Sequence, residues 1–176
     1  MGSSLRLADL LAGLSLVSDL GFAQPPEEAM RRCVIATALA RRLGLDEREV
    51  ADVYWTGLLE HIGCTGFAHE TAAVYGDEMV VNAVIAPVDP NRPADAFAFI
   101  RGATAGRPVG ERVRGAVYAV VRGSDFGRRF ATATCEVGRQ TAVRLGLGEG
   151  VATGLLDVVE AWNGKAGARG LRGDEI

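Results

Sequence analysis

Apolar residues recur at helical spacing through most of the chain, and strands with strict apolar–polar alternation are hard to find. The first repeat is made of Leu7, Leu10, Leu11, Leu14 and Val17, which fall on one face of a helix that ends at Gly21. We expect this helix to bury that face in its own domain, with a dimer surface as the alternative interpretation. The pattern therefore predicts an all-α protein.

A second helix is predicted over 25–43, because prolines suit a first turn and the glutamates that follow favour the helix dipole. Gly44 supplies its C-terminal stop. The predicted inward face consists of Met30, Cys33, Val34, Thr37, Ala40 and Leu43. We expect the Thr37 hydroxyl to donate to a carbonyl one turn earlier.

A third helix is predicted over 47–62, since Asp46 and Glu49 have the spacing of a capping box. The link Gly44-Leu45-Asp46 is short and reverses the chain, so the second and third helices should form a central antiparallel pair. A length of 176 residues suits a single domain with a substantial core. The proline-rich segment 87–93 is the clearest internal boundary.

The composition of the chain argues against several classes of function. A net charge of −3 gives no electrostatic case for nucleic-acid binding. The three cysteines show no C-x-x-C spacing, which favours reduced thiols in a cytoplasmic protein over a zinc ribbon or a disulfide framework. No run of eighteen apolar residues occurs, so neither a membrane span nor a signal peptide is expected.

The candidate chemistry lies in one stretch that contains both histidines, each beside a glutamate: Glu60-His61 and His69-Glu70. A polar pair at the buried end of an apolar helix is costly unless it is hydrogen-bonded or binds metal. We therefore predict that Glu60 and His61 are buried and face Glu28 or Arg31 on the preceding helix. In a purely structural interpretation, His61 bonds a carboxylate or a carbonyl, with Glu60 or Glu28 as the candidate partner. His69-Glu70 then starts the next helix, and Trp55 and Trp162 lie in the core.

The stretch Leu58-Leu59-Glu60-His61-Ile62-Gly63 resembles the helix end L-L-H-D-I-G-K of HD-domain metal phosphohydrolases, most closely that of their HD-GYP branch. The tail from Glu160 to Ile176 resembles the H-H-E-R-W-D-G-K-G-Y-P-x-G-L-x-G-E-x-I signature of the same branch. The resemblance implies an HD-domain-like helical bundle. In such proteins, histidines and aspartates bind divalent metals that activate a water for attack on phosphorus.

The family's ligand positions are largely replaced in this chain. The early histidine falls at Glu28, although Arg31 keeps the arginine that follows, and the H-D pair falls at Glu60-His61. Glu160 matches the family glutamate, and Asn163 stands where the signature has an aspartate. Further changes place Cys64 at the lysine, Thr134 at a histidine, Val158-Val159 at the paired histidines and Ala166-Gly167-Ala168 at the G-Y-P triplet.

Because valine cannot bind a cation and neutral oxygens replace other ligands, we expect a non-catalytic regulatory domain with no cofactor. It would sense a small molecule or nucleotide, or form a homodimer, without contacting membrane or nucleic acid itself. Similar degenerate HD segments precede LuxR-type regulators in actinobacteria, which predicts that this is the N-terminal part of a longer protein.

The alternative is a metal-dependent phosphohydrolase with an altered ligand set. Its ligands would come from Glu28, Glu60, His61, His69 and Glu70, with Glu28, Glu60 and His61 holding manganese, magnesium or iron.

Overall fold

The computed structural model describes residues 5–85, 88 and 92–176, and every regular element in those ranges is a helix. The all-α prediction is thus confirmed. The helices are α1 (Leu7–Gly21), α2 (Glu28–Arg42), α3 (Glu47–Leu59), α4 (Ala68–Tyr75), α5 (Glu78–Ile85), α6 (Pro93–Ala103), α7 (Val109–Leu145) and α8 (Glu149–Asp157), with short 3₁₀ turns at Cys64–Phe67 and Gly173–Glu175.

Helices α2 and α3 form the predicted pair and pack along each other. Their reversing link works as the sequence indicates: Gly44 takes φ +77°, and the Asp46 carboxylate accepts hydrogen bonds from the amides of Arg48 (2.9 Å) and Glu49 (2.8 Å). Glu49 closes the capping box by accepting from the Asp46 amide at 2.9 Å. Both helices are shorter than predicted, since α2 begins at Glu28 and α3 ends at Leu59.

The 37-residue helix α7 contributes to two buried clusters. Its C-terminal half packs with α8, and α8 packs with α3. The first cluster is mainly aliphatic and consists of Leu11, Cys33, Leu58, Leu59, Ala142, Val151, Ala152 and Leu155. The second surrounds the N-terminal half of α7 and consists of Phe67, Tyr75, Val81, Ala103 and Phe126.

Helix α1 is rotated relative to the prediction. Leu11 alone of the predicted inward face is buried, whereas Leu7, Leu10, Leu14 and Val17 are 40–63% exposed. The inward side instead carries polar residues, and it consists of Leu11, Ser15, Ser18 and Asp19. The two serines donate to carbonyls of their own helix, Ser15 Oγ to Ala12 O at 2.9 Å and Ser18 Oγ to Leu14 O at 3.1 Å, so their burial leaves no hydroxyl unpaired.

The buried face of α2 is narrower than predicted. Val34 and Leu43 are each 69% exposed, so their assignment to the core was wrong. The buried positions are Ala29, Cys33, Thr37 and Ala40. Small residues suffice here because α3 approaches closely: a Cβ at Gly57 would lie 3.1 Å from Cys33 Cα. The Thr37 hydroxyl donates to Cys33 O at 2.7 Å, which confirms the predicted backbone bond.

Most of the boundary predicted at 87–93 lies outside the described residues. On either side of it, α5 ends at Ile85 and α6 begins at Pro93, and these two helices pack against each other. None of the described helices is long and apolar enough to cross a membrane.

Candidate polar site and the collapsed cavity beside it

The turn after α3 carries Glu60 and His61, as the sequence places them. Because α3 ends at Leu59, both residues lie in a turn that leads into the 3₁₀ segment Cys64–Phe67. His61 is only 7% exposed, which confirms its predicted burial. The Glu60 side chain is 12% exposed.

His61 pairs with Asp19, a residue that the sequence analysis did not single out. His61 Nδ1 lies 2.8 Å from Asp19 Oδ1, and the other oxygen of Asp19 accepts a hydrogen bond from the Ala29 amide at 3.2 Å. The Phe22 ring lies 5.4 Å from the imidazole, centroid to centroid. Asp19 is fully buried and so joins the end of α1, the first turn of α2 and the turn after α3.

Glu60 faces α2 through Arg32, not through Arg31. The Arg32 guanidinium lies 3.3 Å from Glu60 Oε2 and 3.0 Å from Glu28 Oε1. Arg31, the arginine that the family resemblance indicated, is exposed, and its guanidinium lies 3.6 Å from the Glu27 carboxylate. No local signal identifies the right arginine, because Glu27–Arg31 and Glu28–Arg32 both have the spacing of one helical turn and both form ion pairs.

The second oxygen of Glu60 is buried without a hydrogen bond from the described residues. It lies 3.9 Å from His61 Nε2. Burial raises the pKa of the Glu60 carboxyl above its usual value of 4.5, although His61 and Arg32 act to lower it. The folded protein therefore holds this proton more tightly than the unfolded chain does.

That shift predicts a pH-dependent effect of Glu60→Gln. The favourable contribution of Glu60 is present below about pH 4.5 and is lost as pH rises through its raised pKa. Urea unfolding at several pH values should show Glu60→Gln gaining stability relative to the parent protein as pH increases. Glu70→Gln, at an exposed position, is the matched control. A Glu60→Gln effect that does not change with pH would contradict the prediction.

A small cavity lies where the family resemblance would place metal ligands. It measures about 10 Å³. Its lining includes five positions at which the chain departs from the HD-GYP pattern, Glu60, Cys64, Thr134, Val158 and Val159, and the other lining residues are Gly63, Cys135, Gly138 and Leu155. The fold thus brings some of the family's ligand positions together from three separate parts of the chain, whereas Glu28, Glu160 and Asn163 are not among the lining residues.

The walls of this cavity do not suit a catalytic metal. The Thr134 hydroxyl donates a hydrogen bond to Phe130 O at 2.9 Å. The side chains of the two valines have no atom that can bind a metal. Burial raises the pKa of the Cys64 thiol to about 12, and it also raises the pKa of the Cys135 thiol, so both thiols are neutral near pH 7. Among the described residues, no group of three histidine, cysteine, aspartate or glutamate side chains is arranged to hold a metal ion.

The residues of the alternative metal-ligand set do not lie together either. Glu60 and His61 are neighbours, and Glu28 joins them only through Arg32. His69 and Glu70 are exposed in the first turn of α4, as the structural interpretation predicted.

Glu160 and Asn163 organise the glycine-rich tail. The Glu160 carboxylate accepts hydrogen bonds from three successive amides, those of Arg169 (2.6 Å), Gly170 (3.2 Å) and Leu171 (2.9 Å). Asn163 Oδ1 accepts from the Lys165 amide at 3.0 Å. Neither residue is among those lining the cavity beside Glu60. Trp162 is 72% exposed, so its predicted place in the core was wrong, whereas Trp55 packs against the first cluster.

A wider open groove of about 450 Å³ runs beside α7. Its lining includes Arg128, Arg129 and Thr132, together with the apolar residues Phe67, Ala133 and Ala168. Asp125 offsets part of this positive charge, since it lies 3.6 Å from Arg128. The groove therefore combines a partly offset positive charge with apolar lining residues.

Comparison with known proteins supports the HD-type resemblance. The chain is 25% identical over 171 residues to 3'3'-cGAMP-specific phosphodiesterase 3 of Vibrio cholerae, an alignment that covers 97% of this chain. The chain spans only 37% of that protein's length. No protein-family model and no solved structure matches this chain. The similarity and the all-helical fold relate the chain distantly to the HD-GYP phosphodiesterases.

Proposed function

We propose that this chain is a non-catalytic, HD-like regulatory domain of a bacterial signalling or transcriptional protein. The observation that carries the proposal is the cavity of about 10 Å³ at the converged ligand positions. A space of that size holds about one water molecule. It has no room for a phosphodiester together with a metal and an attacking water.

The side chains available as metal ligands support the same conclusion. A catalytic metal needs about three protein ligands and one open position. Glu60 is the one carboxylate that lines the cavity, and it is already engaged by Arg32. His61 directs its Nδ1 atom to Asp19. These side chains fasten α1, α2 and the turn after α3 to one another, which is a structural role for a former catalytic position.

Regulation would then depend on surfaces away from the collapsed cavity. The groove at Arg128 and Arg129 offers a place for a phosphate-bearing small molecule or nucleotide. The exposed apolar face of α1 offers a place for a second subunit. Both are compatible with a domain that has lost the metal site but kept the fold.

One observation favours the alternative, a phosphohydrolase with an altered metal site. The buried and unpaired oxygen of Glu60 lies near His61 Nε2, so a cation between them would gain two ligands. A magnesium or manganese ion held in this way would still need further oxygen ligands from outside the pair.

We therefore expect the purified protein to contain less than stoichiometric transition metal and not to hydrolyse phosphodiesters. The measurements are elemental analysis after purification without chelator, and a bis-nitrophenyl phosphate assay with added manganese. Any residual turnover should be unchanged in Glu60→Gln, which removes the charge that a cation would need.

One equivalent of bound metal, together with turnover that Glu60→Gln abolishes, would overturn the regulatory proposal. His69→Ala is the control, because His69 also belongs to the alternative ligand set but is exposed in the first turn of α4. Loss of metal in Glu60→Gln but not in His69→Ala would place the ion beside Glu60.

A further inference from the structure

We propose that the outer face of α1 binds the same face of a second copy of this chain. The inference rests on the proposed function, in which the regulatory domain can form a homodimer, and it names the surface through which the two copies bind. The face, here called the α1 face, consists of Leu7, Leu10, Gly13, Leu14, Val17 and Leu20.

The α1 face has the spacing of a helix–helix contact. Leu7, Leu10, Leu14 and Val17 follow one another at intervals of three, four and three residues, which keeps them on one seam toward a partner helix. Leu10 is 54% exposed, and Val17 is 63% exposed. Water therefore covers the side of α1 that has the better apolar pattern, while serines occupy the buried side.

Helix α1 cannot rotate to bury these leucines without breaking the polar site. Asp19 is fully buried and holds both His61 Nδ1 and the Ala29 amide, from the side of α1 opposite the exposed leucines. Rotation would expose Asp19 and leave the two groups that it binds unpaired in the interior. The outward orientation of the α1 face is consequently built into the fold.

The absence of charge on the α1 face favours a second copy of the chain as its partner. From Leu10 to Leu20 the exposed positions of α1 carry no charge. At the N-terminal end, Arg6 is neutralised by Asp9 at 2.8 Å. In a two-fold dimer the same surface meets itself, so a face without net charge meets its copy without repulsion.

Two other exposed apolar surfaces are less suited to pairing with themselves. On α2 and just after it, the exposed side chains Val34, Ile35, Leu39 and Leu43 lie among Arg31, Arg41 and Arg42. The valines on the N-terminal half of α7, such as Val113 and Val121, alternate with Arg112, Arg114 and Arg122. In a symmetric contact, arginines of one copy would lie near arginines of the other, and like charges oppose association.

The size of the α1 face is sufficient for the centre of an interface. Its side chains expose on the order of 400 Å² of apolar surface, which is within the range of the largest patch on an ordinary monomer, a patch that is often functional. A standard interface buries about 800 Å² per partner, with a polar rim around an apolar centre. The Arg6–Asp9 pair and neighbouring polar residues would supply part of that rim.

Gly13 allows a clean test, because a Cβ added there would meet nothing within 4 Å in the isolated subunit. Gly13→Glu should therefore leave the fold intact and place a carboxylate inside the interface. Gly127→Glu is the matched control: Gly127 also lies within a helix, α7, with open space around its Cβ position. Val17→Glu is a second variant on the α1 face.

Sedimentation velocity over a range of micromolar concentrations should show a dimer for the parent chain and for Gly127→Glu. Gly13→Glu and Val17→Glu should weaken association at least about 100-fold, because carboxylates would be buried without partners in the interface. Circular dichroism and thermal melting would establish that all four proteins are folded.

A monomeric parent chain would overturn the inference and assign the α1 face to another segment or another protein. A dimer that survives Gly13→Glu and Val17→Glu would place the interface elsewhere, and so would one that Gly127→Glu disrupts equally. Each of these results leaves the proposal of a non-catalytic domain standing, because that proposal fails only if the metal and turnover measurements are positive.

Discussion

Asp19→Ala is expected to lower the free energy of unfolding by about 3 kcal/mol, the cost of removing one partner from a buried polar pair. The change leaves the Ala29 amide and His61 Nδ1 in the interior without their acceptor. It also releases α1 from α2 and from the turn after α3. Urea unfolding followed by circular dichroism measures the loss.

Two other substitutions separate the causes of that loss. Asp19→Asn keeps an oxygen that can accept from the Ala29 amide, so its loss should be smaller than that of Asp19→Ala. Asp9→Ala removes a carboxylate from the same helix, but its ion pair with Arg6 is exposed and should contribute little. If Asp19→Ala and Asp9→Ala shifted the unfolding midpoint equally, the buried network would not be what holds α1 in place.

Local chemistry made three of the helix ends predictable. Gly21 ends α1, Gly44 adopts the left-handed conformation after α2, and Asp46 caps α3. Each depends on a few neighbouring residues whose side chains or backbone satisfy the helix terminus. The third helix ended earlier than its apolar pattern suggested, because residues 60–63 form a turn that packs against α7. A Cβ at Gly63 would overlap the Thr134 carbonyl, and no local pattern encodes that contact.

The rotation of α1 shows why periodicity does not decide which face is buried. The pattern correctly identifies one apolar side, and a helix normally buries that side. Here the fully buried Asp19 fixes the opposite orientation. The stabilising partners of Asp19, Ala29 and His61, lie 10 and 42 residues away, so their contacts depend on the tertiary structure.

The candidate site was predicted in position but not in composition. Burial of His61 followed from its place at the end of an apolar helix, whereas its carboxylate partner did not come from Glu28 or Glu60. The convergence of Glu60 with Thr134 and Val158–Val159 could be expected only through the family resemblance, because these positions are far apart in the chain. The resemblance thus identified several positions that line the cavity, and the expectation of a domain without a metal site rests on the chemistry of the side chains found there.

Leu155→Ala should lower the free energy of unfolding by about 3 kcal/mol, as is typical of a leucine truncated in a closed core. Leu155 is 1% exposed on α8 and belongs to the first buried cluster, where a Cβ at Gly138 of α7 would lie 3.4 Å from the Leu155 Cβ. So close an approach of α7 leaves little freedom for the surroundings to collapse into the space. The matched control is Leu43→Ala, the same substitution at a side chain 69% exposed after α2, which should cost less than about 0.5 kcal/mol. Urea unfolding of both variants measures the difference, and equal losses would mean that Leu43, not only Leu155, is buried in solution and that α2 packs as its apolar pattern first suggested.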